Sequence, residues 1–260
     1  MKRLRVPENL RGLLACGVIF AVMALITDDL ASAENCRSIG SATIPLFLLA
    51  LGQMAVMISG GIDLSVTATM ALASVMGAAV MRDTGSAAAG VAVMLGVGAA
   101  VGLANGAAVA RLRLPPFMVT LITMMFFSGA AVRAVESKNI SGLAAGFLTL
   151  GKSLPVAAGM ALGAGMIVHV LLRHTVWGRS LRAVGYNSCA AAFAGLRTGQ
   201  TVALTYVLSG VLAGLAAVIY TARLETGSPV LGQRMLLDVV GAAVIGGISL
   251  TGRALFFQAP

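Results

Sequence analysis

Charged residues are scarce in this chain. Asp, Glu, Lys and Arg make up 10% of its 260 residues, against roughly 25% in soluble domains, and hydrophobic residues make up 58%. This balance excludes an ordinary soluble domain and predicts a protein whose solvent is lipid. The formal net charge is +9, but the Lys and Arg residues stand singly or in small groups between apolar runs. That arrangement indicates membrane topology rather than a basic face for nucleic acid.

Cysteine and recognisable catalytic groups are scarce as well. Cys16, Cys36 and Cys189 are an odd number without C-x₂-C spacing, so the sequence indicates neither a disulfide framework nor a zinc site. It contains no nucleophile–base–acid set, paired catalytic carboxylates or metal-ligand cluster. His169 and His174 have no acidic neighbours and are interpreted as interfacial residues rather than as a proton relay. We therefore expect no enzyme activity, no metal and no cofactor.

Apolar runs of helix length are abundant. A bilayer core about 30 Å thick needs about 20 apolar residues of helix, and these runs lack the alternation of membrane strands. The sequence predicts an all-α, polytopic membrane helix bundle, with a single transmembrane domain over residues 1–260. Eight candidate spans lie at about 12–27, 43–60, 64–81, 87–110, 115–133, 154–172, 201–222 and 236–250.

The distribution of basic residues predicts the orientation, because Lys and Arg accumulate in short cytoplasmic loops. With the N-terminus inside, the inside segments hold 11 of the 18 basic residues: Lys2, Arg3, Arg5, Arg11, Arg111, Arg113, Arg173, Arg179, Arg182, Arg197 and Arg253. The longest polar interruption, about 173–200, then becomes a cytoplasmic loop. Its composition suits a short amphipathic helix on which a partner docks.

The N-terminus also resembles a secretory signal. Basic residues lead into an apolar run, and Ala31-Ser32-Ala33 resembles a cleavage site. Asp28 and Asp29 interrupt this pattern, and the rest of the chain is polytopic, so an uncleaved first helix is the simpler interpretation. Cleavage stays open as the alternative.

One carboxylate lies at a break between apolar runs. A charged side chain in the middle of a span costs about 2.5–3.5 kcal/mol, yet Asp63 occurs in the segment Ser-Gly-Gly-Ile-Asp-Leu-Ser at 59–65. Gly60 and Gly61 interrupt the helix there, and Asp63 with Ser65 can cap the next one. The spacing favours this cap in a tight turn, while the alternative is a broken helix that lines a translocation pathway.

Four further polar residues are candidates for lining such a pathway. Gln53 lies within the second span, and Thr120 and Thr123 follow the prolines of the fifth. Both threonines can instead bond to carbonyls of their own helix. Asp238 begins the last span and suits the positive end of that helix's dipole.

Glycines recur four residues apart in three spans. The sets are Gly98, Gly102 and Gly106; Gly159 and Gly163; and Gly210 and Gly214. Such spacing allows helix backbones to approach closely. We expect packing within the chain rather than a dimer motif.

Residues 146–153 fit the phosphate-loop pattern G-x-x-x-x-G-K-[ST]. A phosphate loop follows a strand in a soluble α/β domain, whereas this segment lies between two membrane spans. The match is interpreted as chance, so any ATP hydrolysis has to come from another chain.

Three segments resemble the permease subunits of ribose-, xylose- and arabinose-type ABC importers. The first is Gly52-Gln53-Met54 leading into 59–66, and the second is Asn105-Gly106 followed by 114–121. The third is discontinuous and runs from Gly178-Arg179 through Tyr206-Val207-Leu208-Ser209-Gly210 to 244–250, so that the resemblance covers about 40–252. It implies a multi-pass protein of the bacterial cytoplasmic membrane that moves a ribose-like monosaccharide. The implied partners are a cytoplasmic ATPase, a second permease subunit and an extracytoplasmic solute-binding protein.

The resemblance also implies where the ATPase docks. In that family a loop with the pattern E-A-A-x-x-x-G forms a coupling helix that enters a groove of the ATPase. Here Cys189-Ala190-Ala191 precedes Gly195 at the same spacing, with Asn187 just upstream and Cys189 in place of the acid. A bulky residue at Gly195 is expected to uncouple transport and to leave membrane insertion intact.

Three alternatives stay open beside a sugar importer. Related permeases that share these motifs also suggest a furanose signalling molecule as the solute. After Thr251-Gly252 the family continues with further membrane helices, whereas this chain ends with residues 253–260; a truncated, non-transporting remnant or membrane scaffold is therefore a second alternative. A stand-alone secondary transporter is disfavoured, because neither an inverted repeat nor a set of proton-relay acids is visible.

Overall fold

The protein is a bundle of α-helices. A computed structural model describes residues 8–27, 29–136 and 138–246, which contain eleven α-helices and one 3-10 turn. The α-helices are α1 (Glu8–Ile26), α2 (Ala33–Ile58), α3 (Val66–Thr84), α4 (Ala87–Ala110), α5 (Pro116–Ala134), α6 (Ala145–Lys152), α7 (Leu154–His174), α8 (Val176–Tyr186), α9 (Ser188–Phe193), α10 (Thr198–Leu224) and α11 (Leu236–Ile245). The predicted all-α class is confirmed.

Five of the described helices are long and apolar enough to cross a membrane: α2, α4, α5, α7 and α10. In α1 the apolar part is shorter, at Cys16–Ile26. Helix α3 occupies the predicted span at 64–81 and is buried along most of its length. The last predicted span coincides with α11 up to residue 246, and its remainder lies outside the described residues, as do Lys2, Arg3, Arg5 and the 253–260 segment.

One predicted boundary is wrong: α2 begins at Ala33 rather than near 43. The Ser32 side chain accepts a hydrogen bond from the amide of Asn35 at 3.2 Å and so caps this start. The first turns carry Glu34 and Arg37, so a search for apolar runs passes over them.

Helix α10 is the centre of the bundle and packs against α2, α3, α4, α6 and α8. Its closest neighbour is α4, because glycines remove the side chains between the two backbones. A Cβ atom on Gly98 would collide with the carbonyl oxygen of Gly210, and the reverse also holds. Gly102 lies in the same way against the backbone of Tyr206, and Gly106 against Ala203. Close packing within the chain is thus confirmed for these glycines.

The same prediction is wrong for Gly159 and Gly163 of α7. Both residues are exposed, and a Cβ atom on either would have no neighbour within 4 Å. They face away from the bundle, so their spacing reflects no helix contact within the described part of the chain.

The two ends of the bundle differ in charge. At the end that carries α8 and α9, segments 111–115 and 173–197 contain six arginines and no Asp or Glu: Arg111, Arg113, Arg173, Arg179, Arg182 and Arg197. At the opposite end, acids accompany the bases, as in the ion pair of Lys152 with Glu225 at 2.8 Å. These two segments therefore carry an uncompensated positive charge.

Candidate functional site

Two glycines break the chain between α2 and α3, for different reasons. Gly60 ends α2 with φ +85°, a left-handed conformation that favours glycine. The amide of Gly60 donates to the carbonyl of Met57 at 2.9 Å, and the amide of Gly61 donates to the carbonyl of Val56 at 3.1 Å. A Cβ on Gly61 would lie 2.6 Å from the hydroxyl of Tyr206. The first glycine is needed for its conformation and the second for space.

Asp63 ties this break to α10. Its side chain is 2% exposed, and Oδ1 accepts hydrogen bonds from the amide and the hydroxyl of Ser65 at 2.9 and 2.6 Å. The other oxygen, Oδ2, accepts from the hydroxyl of Ser209 on α10 at 2.9 Å. Asp63 closes the turn before α3 and does not cap the helix, because the amide that it accepts belongs to Ser65, one residue before Val66. The predicted cap by Asp63 and Ser65 is therefore not formed. Ser65 makes no cap bond of its own.

Two more helices join the same network. The side-chain amide of Asn105 on α4 donates to the hydroxyl of Ser65 at 2.8 Å. On α5, the hydroxyl of Thr120 lies 3.2 Å from the carbonyl of Ile62 and 2.9 Å from that of Pro116. We call Asp63, Ser65, Asn105, Thr120, Tyr206 and Ser209 the Asp63 cluster. The cluster joins the α2–α3 break to α4, α5 and α10.

Some buried polar atoms of this region lack a hydrogen-bond partner within the described chain. They are the Asn105 side-chain oxygen, the Tyr206 hydroxyl and both amide atoms of Gln53. Such groups raise the free energy of a conformation, and most buried polar groups in proteins are paired.

The remaining predicted pathway residues lie outside the network. The Thr123 hydroxyl donates to the carbonyl of Val119 at 3.0 Å within its own helix. Asp238 is exposed in the first turn of α11. Thr123 thus bonds to a carbonyl of its own helix, and Asp238 lies at the start of a helix. Both are the local roles that the sequence left open beside a place in the pathway.

The segment between α7 and α10 folds as two short helices. Thr175 caps α8 by accepting from the amide of Gly178 at 3.1 Å, and Asn187 caps α9 by accepting from the amide of Ala190 at 2.9 Å. In α8, Leu181 and Val184 are buried while Tyr186 is exposed. The predicted amphipathic helix in this loop is confirmed.

Helix α9 projects from the end of the bundle. Cys189 and Ala190 are exposed, whereas Ala191 is buried against the bundle. Gly195 ends the helix with φ +81° and has no neighbour within 4 Å of a Cβ position. Its amide donates to the carbonyl of Ala192 at 3.0 Å. Glycine is required there for its left-handed conformation.

Sequence reasoning missed two sets of residues. Phe193 at the end of α9 is 95% exposed; a large aromatic residue in a polar loop was the available signal. Asn105, Tyr206 and Ser209 belonged to the segments that carry the resemblance, but were not selected as site residues. All three are polar residues within apolar spans, and this could have identified them. Tyr206 and Ser209 also lie one turn apart on one face of α10.

The phosphate-loop match is excluded by its conformation. Residues 145–152 form α6, which packs against α10 so tightly that a Cβ on Gly151 would collide with the backbone amide of Arg223. The backbone amides of this segment lie in a helix rather than in a loop that can surround a phosphate. The interpretation as a chance match is confirmed.

Comparison with known proteins assigns the family. Residues 37–255 match the family model described as the branched-chain amino acid transport system / permease component. The ribose import permease protein RbsC of Escherichia coli strain K12 is 30% identical over 252 residues, which are 93% of this chain and 78% of that protein. This chain belongs to the permease family of sugar ABC importers. As a permease of this family, it is a multi-pass protein of the inner membrane and a transport component rather than an enzyme.

Two other permeases show the range of solutes among its relatives. The L-arabinose transport system permease protein AraH of Escherichia coli strain K12 is 32% identical over 95% of this chain and 77% of its own length. The autoinducer 2 import system permease protein LsrC of Enterobacter sp. strain 638 is 31% identical over 97% of this chain and 75% of its own length. No solved structure gives a significant match. Permeases of ABC importers work with an ATPase and a solute-binding protein.

Proposed function

We propose that this permease moves a ribose-like monosaccharide across the inner membrane, with energy from a separate ATPase subunit that docks on α8 and α9. The observation that carries the proposal is α9: a short, capped helix that projects from an end of the bundle, within segment 173–197, which contains no acidic residue. The proposed docking residues are Asn187, Cys189, Ala190, Ala191 and Gly195, and we add the exposed Phe193. Aromatic side chains of this kind are common anchors at protein interfaces.

The orientation belongs to the same proposal. The N-terminus and the α8–α9 end lie on the cytoplasmic side, where the ATPase is. The solute-binding protein then approaches the opposite end, which carries the Lys152–Glu225 ion pair. A second permease subunit completes the pathway, so that the solute passes between the two bundles.

Docking is transmitted to the bundle through α10. Helix α9 leads through Gly195 into α10, which begins at Thr198, and Tyr206 lies about 12 Å along α10 at 1.5 Å per residue. A shift of α9 therefore moves the first turns of α10, and with them Tyr206 and Ser209 of the Asp63 cluster. In this proposal the cluster is the closed part of the pathway, and alternating access opens it.

The proposed pathway residues are Gln53, Gly60, Gly61, Asp63, Ser65, Thr120, Thr123 and Asp238. Three contacts of the closed state support the part near the break: those of Asp63 with Ser65 and Ser209, and that of Gly61 with Tyr206. Gly60 is the exposed member at the break itself.

Solute uptake in cells of the source organism tests the monosaccharide. The gene for this chain is deleted and then restored, and the uptake of labelled ribose, arabinose and autoinducer 2 is compared. Ribose or arabinose uptake that falls on deletion and returns with the gene supports the proposal. Loss of autoinducer 2 uptake alone favours the signalling molecule, in agreement with the LsrC similarity. Unchanged uptake of all three contradicts a role in importing any of them.

Gly195→Val is expected to reduce uptake at least tenfold without reducing the amount of chain in the membrane. A β-branched residue does not adopt φ +81° without strain, so the end of α9 has to change. Gly195→Asn is the matched control, because Asn tolerates the left-handed conformation, and it should keep most of the uptake. Equal uptake by the Val variant and the wild type would contradict the docking role.

A further inference from the structure

An apolar groove runs along the outside of the bundle between α2 and α7. Its volume is about 590 Å³, within the range of about 300–1,000 Å³ for small-molecule sites. Phe47, Leu51 and Met54 form the wall on α2, and Leu162 and Met166 form the wall on α7. These residues repeat at three- and four-residue intervals, so each wall is one continuous stripe of its helix.

The groove changes character along its length. Toward the end with α8 and α9 it is lined by His169, Arg173 and Arg182. Arg173 lies exposed in the last turn of α7, and Arg182 donates a hydrogen bond to the carbonyl of Leu172. Among the described residues that line the groove, none is acidic. One end of the groove thus attracts an anion, and the rest attracts hydrocarbon.

The length of the groove matches one leaflet of a bilayer. From Leu162 to Arg173 the helix rises about 16 Å at 1.5 Å per residue, which is about half of a 30 Å hydrocarbon core. The apolar walls therefore extend from the basic end to about the middle of the membrane. An acyl chain with its headgroup at the basic end has these dimensions.

We propose that the groove between α2 and α7 binds an anionic phospholipid, with an acyl chain against the two apolar walls and the phosphate at His169 and Arg173. Basic pockets between membrane helices bind anionic headgroups in this way. The lipid belongs to the leaflet on the side of α8 and α9. It fills the space between α2 and α7 and steadies the end of α7 from which α8 continues.

Native mass spectrometry of the purified full chain tests this site. The chain in detergent receives phosphatidylglycerol or, in parallel, phosphatidylcholine with the same acyl chains, and the bound fractions are compared. We expect wild type to retain phosphatidylglycerol at least fivefold better. Arg173→Gln should retain about fivefold less phosphatidylglycerol than wild type, because one arginine near an anionic headgroup contributes about this factor to binding. Arg179→Gln is the matched control, since Arg179 is exposed at the same end but does not line the groove.

A second pair of variants tests the apolar walls. Met166→Trp places a large ring in the groove and should reduce the retention of phosphatidylglycerol about fivefold, by occupying the space of the acyl chain. Met125→Trp, at a residue of α5 that is 68% exposed and outside the groove, should change nothing. Circular dichroism that is unchanged in each variant shows that the bundle is intact.

The proposal would be overturned if wild type retained the two lipids equally. It would also be overturned if Arg173→Gln and Met166→Trp retained as much phosphatidylglycerol as wild type. A groove covered by a second copy of the chain would contradict it as well. In that case Met166→Cys, with the native cysteines replaced by serine, would cross-link between copies in membranes, and no lipid would be retained.

Discussion

Asp63→Ala is expected to insert into the membrane but to lower the free energy of unfolding by about 2–4 kcal/mol, as three buried donors lose their acceptor. The donors are the amide and the hydroxyl of Ser65 and the hydroxyl of Ser209. Interhelical hydrogen bonds in membrane proteins average only about 0.6 kcal/mol. A buried donor without a partner costs about 1–3 kcal/mol, so the desolvated donors dominate the expected loss.

Unfolding in detergent with increasing dodecyl sulfate, followed by circular dichroism, measures this loss. Asp63→Asn should lie between Ala and wild type, because its oxygen still accepts from Ser65. Asp238→Ala is the matched control: it removes the same side chain from an exposed position in α11 and should change stability little. Equal stability of Asp63→Ala and Asp238→Ala would show that the Asp63 cluster does not hold α3 and α10 together.

Gly98→Ala is expected to destabilise the bundle by about 2–3 kcal/mol, because overpacking a close contact has this order of cost. The added methyl group meets the carbonyl oxygen of Gly210. Backbone atoms cannot move aside as a flexible side chain can, so α4 and α10 have to separate along their whole contact. Since α10 carries Tyr206 and Ser209, this separation should also weaken the Asp63 cluster.

The control for this substitution lies two residues away on the same helix. Gly96 is exposed, and a Cβ there has no neighbour within 4 Å. Gly96→Ala should leave stability unchanged or raise it by up to about 1 kcal/mol through helix propensity. The same unfolding titration compares the two variants. If Gly98→Ala were as stable as Gly96→Ala, the close approach of α4 and α10 would be wrong.

The apolar runs predicted most of the helices, because lipid requires long apolar segments and excludes unpaired backbone groups. The predicted spans 87–110 and 115–133 agree closely with α4 and α5. The first turns of α2 and the whole of α6 were not predicted as helix. The Ser32 cap stabilises the start of α2, and packing against α10 stabilises α6. Neither effect is visible in a hydropathy pattern.

The candidate site was predictable only in part. The break at Gly60 and Gly61 follows from local chemistry, and the structure shows it. The predicted helix cap by Asp63 and Ser65 is replaced by a turn in which Asp63 accepts from the amide and the hydroxyl of Ser65. The partners Asn105 and Ser209 lie far along the chain from Asp63, so only the packing of α4 and α10 brings them to the break. Distinguishing glycines in close contact, such as Gly98, from outward-facing ones, such as Gly159, also requires knowing which face of each helix is covered.

The most direct test of the account uses the native thiols. Cys189 is exposed on α9, whereas Cys36 is exposed in the first turns of α2, at the opposite end of the bundle. One variant keeps only Cys189 and a second keeps only Cys36; each is treated in native membranes with a short thiol-to-amine cross-linker, and the adducts are identified by mass spectrometry. The account predicts an ATPase subunit joined to the Cys189 chain and absent from the Cys36 chain. An ATPase adduct with Cys36, or none with Cys189, would contradict docking on α9.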